Sequence, residues 1–127
     1  LDLFPKSKKE KKREDAEFKH AKGELSEEIY RERQMLRGNR VIRRDQRKGG
    51  WDYTVQRTNM FGQPVGPEYH HEVKSNSWDR ETKRQRLQRA KDKNYRRIDI
   101  NIDSIPGSNI LVEGKVLQKR YKKMKWF

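Results

Sequence analysis

Cysteine is absent from this 127-residue chain, which excludes disulfides and thiolate metal sites and leaves the redox compartment open. Large apolar residues are scarce. Leu, Ile, Val and Phe make up 24 of the 127 residues, just under the level that signals disorder when net charge is high. No apolar run approaches the length of a membrane-crossing helix, and none has a signal peptide's apolar stretch. The sequence starts at Leu1 rather than Met, as a processed form or a fragment would, so a removed targeting segment leaves no trace in it.

What it has in abundance is positive charge. The formal charge is +14, the pI is near 10.1, and charged residues make up 41% of the chain. So basic a chain implies an acidic partner. Nucleic acid is the usual one, because each neutralised phosphate releases counterions. Anionic membranes and acidic protein surfaces such as tubulin are the alternatives. With so few apolar residues, hydrophobic gain barely offsets the entropy of ordering the chain. The expected fold class is therefore mostly extended and irregular, with charged α-helices, a small β-hairpin or three-stranded unit, and no large independent core.

Residues 1–22 read as a basic N-terminal arm, in which Ser7 and Glu10 have the spacing of a capping box. Gly23 interrupts. Residues 23–39 then read as a short amphipathic helix with Ser26 as N-cap and Gly38-Asn39 as its stop. Its apolar stripe of Leu25, Ile29 and Leu36 is a candidate protein-docking face.

Residues 40–76 read as a basic linker, an aromatic strand and a Pro/Gly loop. The linker carries Arg40, Arg43, Arg44, Arg47 and Lys48 as candidate phosphate ligands. The strand alternates Trp51, Tyr53 and Val55 against Asp52, Thr54 and Gln56. The loop from Phe61 to Pro67 is stiff at its prolines and permissive at its glycines. Trp51, Tyr53 and Phe61 are candidate anchors on a neighbouring protein.

Residues 77–97 read as an arginine-rich helix with Ser77 as N-cap. Arg80, Lys83, Arg84, Arg86, Arg89, Arg96 and Arg97 are candidate polyanion contacts, because arginine forks grip phosphate at two points and stack on exposed bases. Residues 98–113 alternate Ile98, Ile100 and Ile102 against Asp99, Asn101 and Asp103, then pass Pro106-Gly107 to Ile110-Leu111-Val112. That pattern predicts a β-hairpin. A hairpin alone is marginal in water, and the strand of Trp51, Tyr53 and Val55 is the natural third member. Residues 114–127 form a basic amphipathic tail. There Lys119, Arg120, Lys122 and Lys123 are candidate RNA contacts, and Leu117, Tyr121 and Trp126 are candidate docking residues.

Catalytic patterns do not emerge. His70-His71, flanked by Glu68 and Glu72, lacks the four-residue spacing that puts two histidines on one helix face for zinc. No glycine pair precedes a Gly-Lys-Ser/Thr phosphate loop. The expectation is no enzyme, no metal and no cofactor. The charge is spread along the chain, which fits threading through a large assembly. The leading expectation is a non-catalytic structural component of a ribonucleoprotein, ribosomal (including organellar) or spliceosomal, with a mitochondrial or nuclear/cytoplasmic location. Its partners would be structured RNA and neighbouring proteins, without membrane insertion. The alternatives are a filament-associated protein, such as an axonemal microtubule inner protein on acidic tubulin, and a basic protein of chromatin.

Overall fold

The computed structural model describes residue 5, residues 7–45 and residues 48–124. Its elements are α1 (Lys8–Leu36), β1 (Asn39–Arg43), β2 (Tyr53–Thr58), β3 (Pro64–Lys74), α2 (Lys83–Lys91), β4 (Tyr95–Asp99), a 3-10 turn (Ile102–Ser104) and α3 (Ser108–Met124). They group into two units. One takes the chain up to Leu25 and from Ile102 onward, and the other spans Ser26–Asn101.

Helix α1 runs without a break across the expected boundary at Gly23. The Ser7 hydroxyl accepts the Glu10 amide N–H at 3.2 Å, which caps its start. A lone glycine in a helix interior costs only about 1 kcal/mol relative to alanine, too little to stop a helix with strong formers on both sides. Ser26, expected as a cap, is instead buried within the helix. The stop at Gly38 is real: its φ is 74°, and its N–H donates to the Met35 carbonyl at 2.9 Å.

The unit of Ser26–Asn101 is built on a four-stranded sheet in the order β1-β2-β3-β4, antiparallel except for the parallel β3–β4 pair. Its core includes Tyr30, Tyr53, Val55, Val73, Tyr95 and Ile100. The Tyr30 ring of α1 lies on one sheet face, 5.0 Å from the Tyr53 ring. In the other unit, α3 lies beside the first part of α1, with Ala21, Leu25, Ile102, Val112 and Val116 buried.

These observations overturn the expected extended, coreless class. Leu, Ile, Val and Phe are indeed few, but three of the largest side chains inside are tyrosines, which that count leaves out. The expected basic linker contains strand β1, and the expected Pro/Gly loop is a turn followed by a bulged strand. Asn59 and Gly62 close the β2–β3 turn, the Gly62 N–H donating to the Asn59 carbonyl at 3.0 Å with Gly62 at φ 75°. Strand β3 then carries a bulge opposite Val55–Arg57. Gly66 has φ 78° there, and Pro67, which has no N–H to give a ladder, sits where none is needed.

The long arginine-rich helix is also corrected. α2 covers only Lys83–Lys91 and is capped by Thr82, not Ser77, and the chain then enters β4. The hairpin of residues 98–113 does not form. Ile110, Leu111 and Val112 belong to α3, where Val112 and Val116, four apart, make the buried stripe. Tyr53 and Ile100 lie in one sheet region but do not face each other as partners, because β3 lies between β2 and β4.

Candidate nucleic-acid interface

Three surfaces concentrate basic side chains, and they differ in what those side chains already hold. In the unit of α3, Lys119 donates to Glu24 at 2.6 Å and Arg120 to Glu17 at 2.8 Å. The Lys119 ammonium holds the Glu24 carboxyl below its usual range. These two cations and Lys123 line a groove of about 380 Å³, which therefore has internal carboxylates competing for its charge. Lys122 is exposed.

On α2, Arg84 donates to the Lys48 carbonyl at 2.7 Å and Arg89 pairs with Glu81 at 2.7 Å. Lys83 and Arg86 are exposed, as is Arg80 just before the helix. Arg97, on β4, is engaged by Asp99 at 2.7 Å and by the Asn76 carbonyl at 3.1 Å. Arg40 and Arg43 are exposed on β1, at the sheet edge. Arg44 is committed internally: its guanidinium lies 3.6 Å from the Trp51 ring centroid and donates to the Gly49 carbonyl at 3.0 Å. Arg47 lies outside the described residues.

The third surface is a groove of about 280 Å³ between the end of α1 and one face of the sheet. Its wall is built by the α1–β1 turn and the β2–β3 ladder. Gly38 turns the chain so that Asn39 pairs with Arg57, which sets Arg57 near Arg37 at the helix end. The Asn39 side chain donates to Gln34 Oε1 at 2.7 Å and steadies that turn. Val55 pairs with Tyr69 across β2 and β3, and His71 pairs with Arg96 across β3 and β4.

The lining is Gln34, Arg37, Asn39, Val55, Gln56, Arg57, Tyr69, His71, Arg96 and Ile98. It holds three guanidiniums and no carboxylate. Arg37, Arg57 and Arg96 are exposed, while Tyr69 and His71 are half-buried. The Arg96 guanidinium lies 5.7 Å from the Tyr69 ring centroid, and its hydrogen bonds go to the carbonyls of Lys93 and Tyr95 at 2.8 Å. His71 lies 2.7 Å, Nδ1 to hydroxyl, from Tyr30. Burial first, then the positive charge of Arg96, pulls the His71 pKa down to about 4, so its ring is neutral at neutral pH. The groove can thus receive anionic groups on its rim and a flat apolar group against Tyr69.

Of the basic residues singled out in the sequence, only Arg96 lines this groove. Arg37, Arg57 and Tyr69 were missed, and His71 was weighed only as a metal ligand. Their signal is the period-two run Tyr69, His71, Val73, hidden when residues 61–67 are read as a loop. The docking residues divide similarly. Tyr53 is fully buried and Leu25 nearly so, so neither is available to a partner. Trp51 is occupied inside, with its ring stacked on His70 at 4.1 Å and its Nε1–H donating to Thr54 at 3.1 Å. Ile29 is half-buried. Leu36, Phe61, Leu117 and Tyr121 are exposed, and Trp126 lies outside the described residues.

His70 is turned to Asp92, and among the described residues no group of three His, Asp or Glu side chains is placed to hold a metal. No helix of the described residues is long and apolar enough to cross a membrane. No known protein family, curated protein or solved structure matches the chain.

Proposed function

We propose that this chain is a non-catalytic, RNA-binding component of a ribonucleoprotein, and that the helix–sheet groove is its main RNA contact. The observation that carries the reading is the set Arg37, Arg57 and Arg96 lining one groove with Tyr69, with no carboxylate in the lining. Guanidiniums with no carboxylate beside them keep their attraction for phosphate. A tyrosine among them offers a stacking platform to an unpaired base, worth about 1–3 kcal/mol per base. The other exposed cations, such as Arg86 and Lys122, extend the field that steers a polyanion to the protein.

The test is binding of a short single-stranded RNA to the full chain, followed by fluorescence anisotropy across a salt series. Arg37→Glu with Arg57→Glu should weaken binding and flatten the salt dependence by about 0.7 for each phosphate no longer neutralised. Tyr69→Ala should weaken binding at every salt concentration without changing the slope, because stacking releases no counterions. Equal binding of RNA and of a carboxylate-rich peptide, with no effect of Tyr69→Ala, would overturn the reading in favour of an acidic protein surface such as tubulin.

A further inference from the structure

His71 pairs across the sheet with Tyr53 on β2 and with Arg96 on β4, and it lines the groove together with Tyr69. Residues two apart on a strand share a face. The imidazole is held from α1. The Tyr30 ring meets it edge-on at 5.7 Å between centroids, and the Tyr30 hydroxyl lies 2.7 Å from Nδ1. Tyr30 is 1% exposed, so its hydroxyl proton needs an acceptor inside the fold. An unprotonated Nδ1 supplies one. Were the ring proton on Nδ1, it would occupy that contact and deny it to the buried phenolic O–H. The ring is neutral at neutral pH, so its one hydrogen sits on Nε2. The two ring nitrogens point away from each other. Nε2–H is therefore the donor that His71 brings to the groove.

Arg96 is its neighbour on this side of Tyr69. Its Nη1 donates to the carbonyls of Lys93 and Tyr95, while Nε and Nη2 are further donors, and a guanidinium has no acceptor. A base stacked on Tyr69 with its edge toward His71 and Arg96 thus meets donors alone. The carbonyl oxygens O4 of uracil and O6 of guanine suit that edge. In the same place cytosine and adenine carry amino groups, which would set donor against donor.

We propose that His71 makes the groove selective for the keto bases, uracil and guanine, over the amino bases, cytosine and adenine, with Tyr30 as the positioning residue that fixes its tautomer. The inference rests on the RNA reading of the groove and goes beyond it, because phosphate contacts and stacking read no base by themselves.

The probes are single-stranded RNA hexamers of uridine and of cytidine, equal in charge. The full chain at pH 7 should bind the uridine hexamer at least about fivefold tighter, the worth of one hydrogen bond gained or lost. Tyr30→Phe with His71→Phe removes the donor and its buried partner together, so no hydroxyl is stranded. It should bring the ratio of the two affinities close to one. Tyr30→Phe alone releases the tautomer and should lower the ratio part-way. His71→Gln, which keeps a side-chain N–H, should retain a preference for uridine. A merely structural loss would weaken both hexamers alike and leave the ratio as it was.

Equal affinity of the unaltered chain for the two hexamers would overturn this inference and leave the RNA reading standing. An unchanged ratio in the Tyr30→Phe, His71→Phe variant would also overturn it, since the preference would then lie elsewhere. Failure to bind either hexamer would overturn both.

Discussion

The Glu72 carboxyl lies against the Glu81 carboxyl inside the sheet unit, and neither Glu72 oxygen receives a hydrogen bond from a donor. Glu72 is fully buried, and the Tyr95 hydroxyl beside it is also unsatisfied. Arg89 reaches one oxygen of Glu81 at 2.7 Å but neither of Glu72, and two ionised carboxylates in contact are strongly unfavourable. Burial first, then the neighbouring Glu81, raises the Glu72 pKa well above the carboxylate range. A proton kept on Glu72 makes the contact a hydrogen bond.

The sign of the pH effect follows. In the unfolded chain Glu72 ionises as pH rises through about 4.5, while in the folded chain it stays protonated. The folded state then binds more protons, so this pair costs stability as pH rises from about 5 toward 8. Glu72→Gln, which keeps an N–H donor for Glu81 and removes the titration, should raise the urea midpoint at pH 8 and change it little at pH 5. A variant less stable than wild type at pH 8 would contradict the protonated pair.

His71 acts in the opposite direction. Its pKa falls to about 4 in the fold from about 6.5 in the unfolded chain. Both states are neutral above pH 7. On acidification the unfolded chain gains the proton first, so stability is lost as pH falls from about 6.5 toward 4. His71→Gln should flatten that part of the curve, measured as the difference in urea midpoint between pH 7 and pH 4.5. Tyr30→Phe, which removes the hydroxyl 2.7 Å from Nδ1, should cost about 1 kcal/mol at pH 7.

Two glycines predict opposite responses. Gly23 lies inside α1 with open space at its Cβ position, so Gly23→Ala should stabilise the helix by about 0.5–1 kcal/mol. Gly38 also has open space, but its φ is 74°. Gly38→Ala should cost about 1–2 kcal/mol, the penalty for a side chain in the left-handed region. Thermal melts followed at 222 nm separate the two. A loss of stability in Gly23→Ala would mean that α1 is not continuous.

Local chemistry was legible in the sequence where it acts through near neighbours. The Ser7 cap, the strand at Tyr53 and Val55, and the stop at Gly38 all follow from spacing within a few residues. Ile110-Leu111-Val112 misled because three consecutive apolar residues fit a strand or a helix equally. Only the Val112–Val116 spacing decides, and it spans the boundary drawn at residue 113. The order of the sheet was hidden because β3 looks like a loop until its bulge is allowed for. The groove was hidden for a related reason: Arg37 and Arg57 are unremarkable singly and meet only through the Asn39–Arg57 pairing.

Helix α2 should be the least secure helix, and its cap the decisive element. It has nine residues, fewer than the roughly 12–15 at which helices begin to hold in water, and Gln85 is its buried residue. Stability must come from its ends and from that one side chain. The Thr82 hydroxyl accepts the Gln85 N–H at 3.2 Å, Gln85 Oε1 accepts the Thr82 N–H at 2.9 Å, and Gln85 Nε2 donates to the Gly50 carbonyl at 3.2 Å. Thr82→Ala should cost about 1 kcal/mol. Gln85→Ala should cost more, since it also leaves the Gly50 carbonyl unpaired. Hydrogen exchange locates the effect. Amides of residues 86–91 should lose protection in Thr82→Ala while those of β3 keep theirs. Equal loss in both places would show that α2 opens only with the whole sheet unit, and that its cap serves the fold rather than the helix.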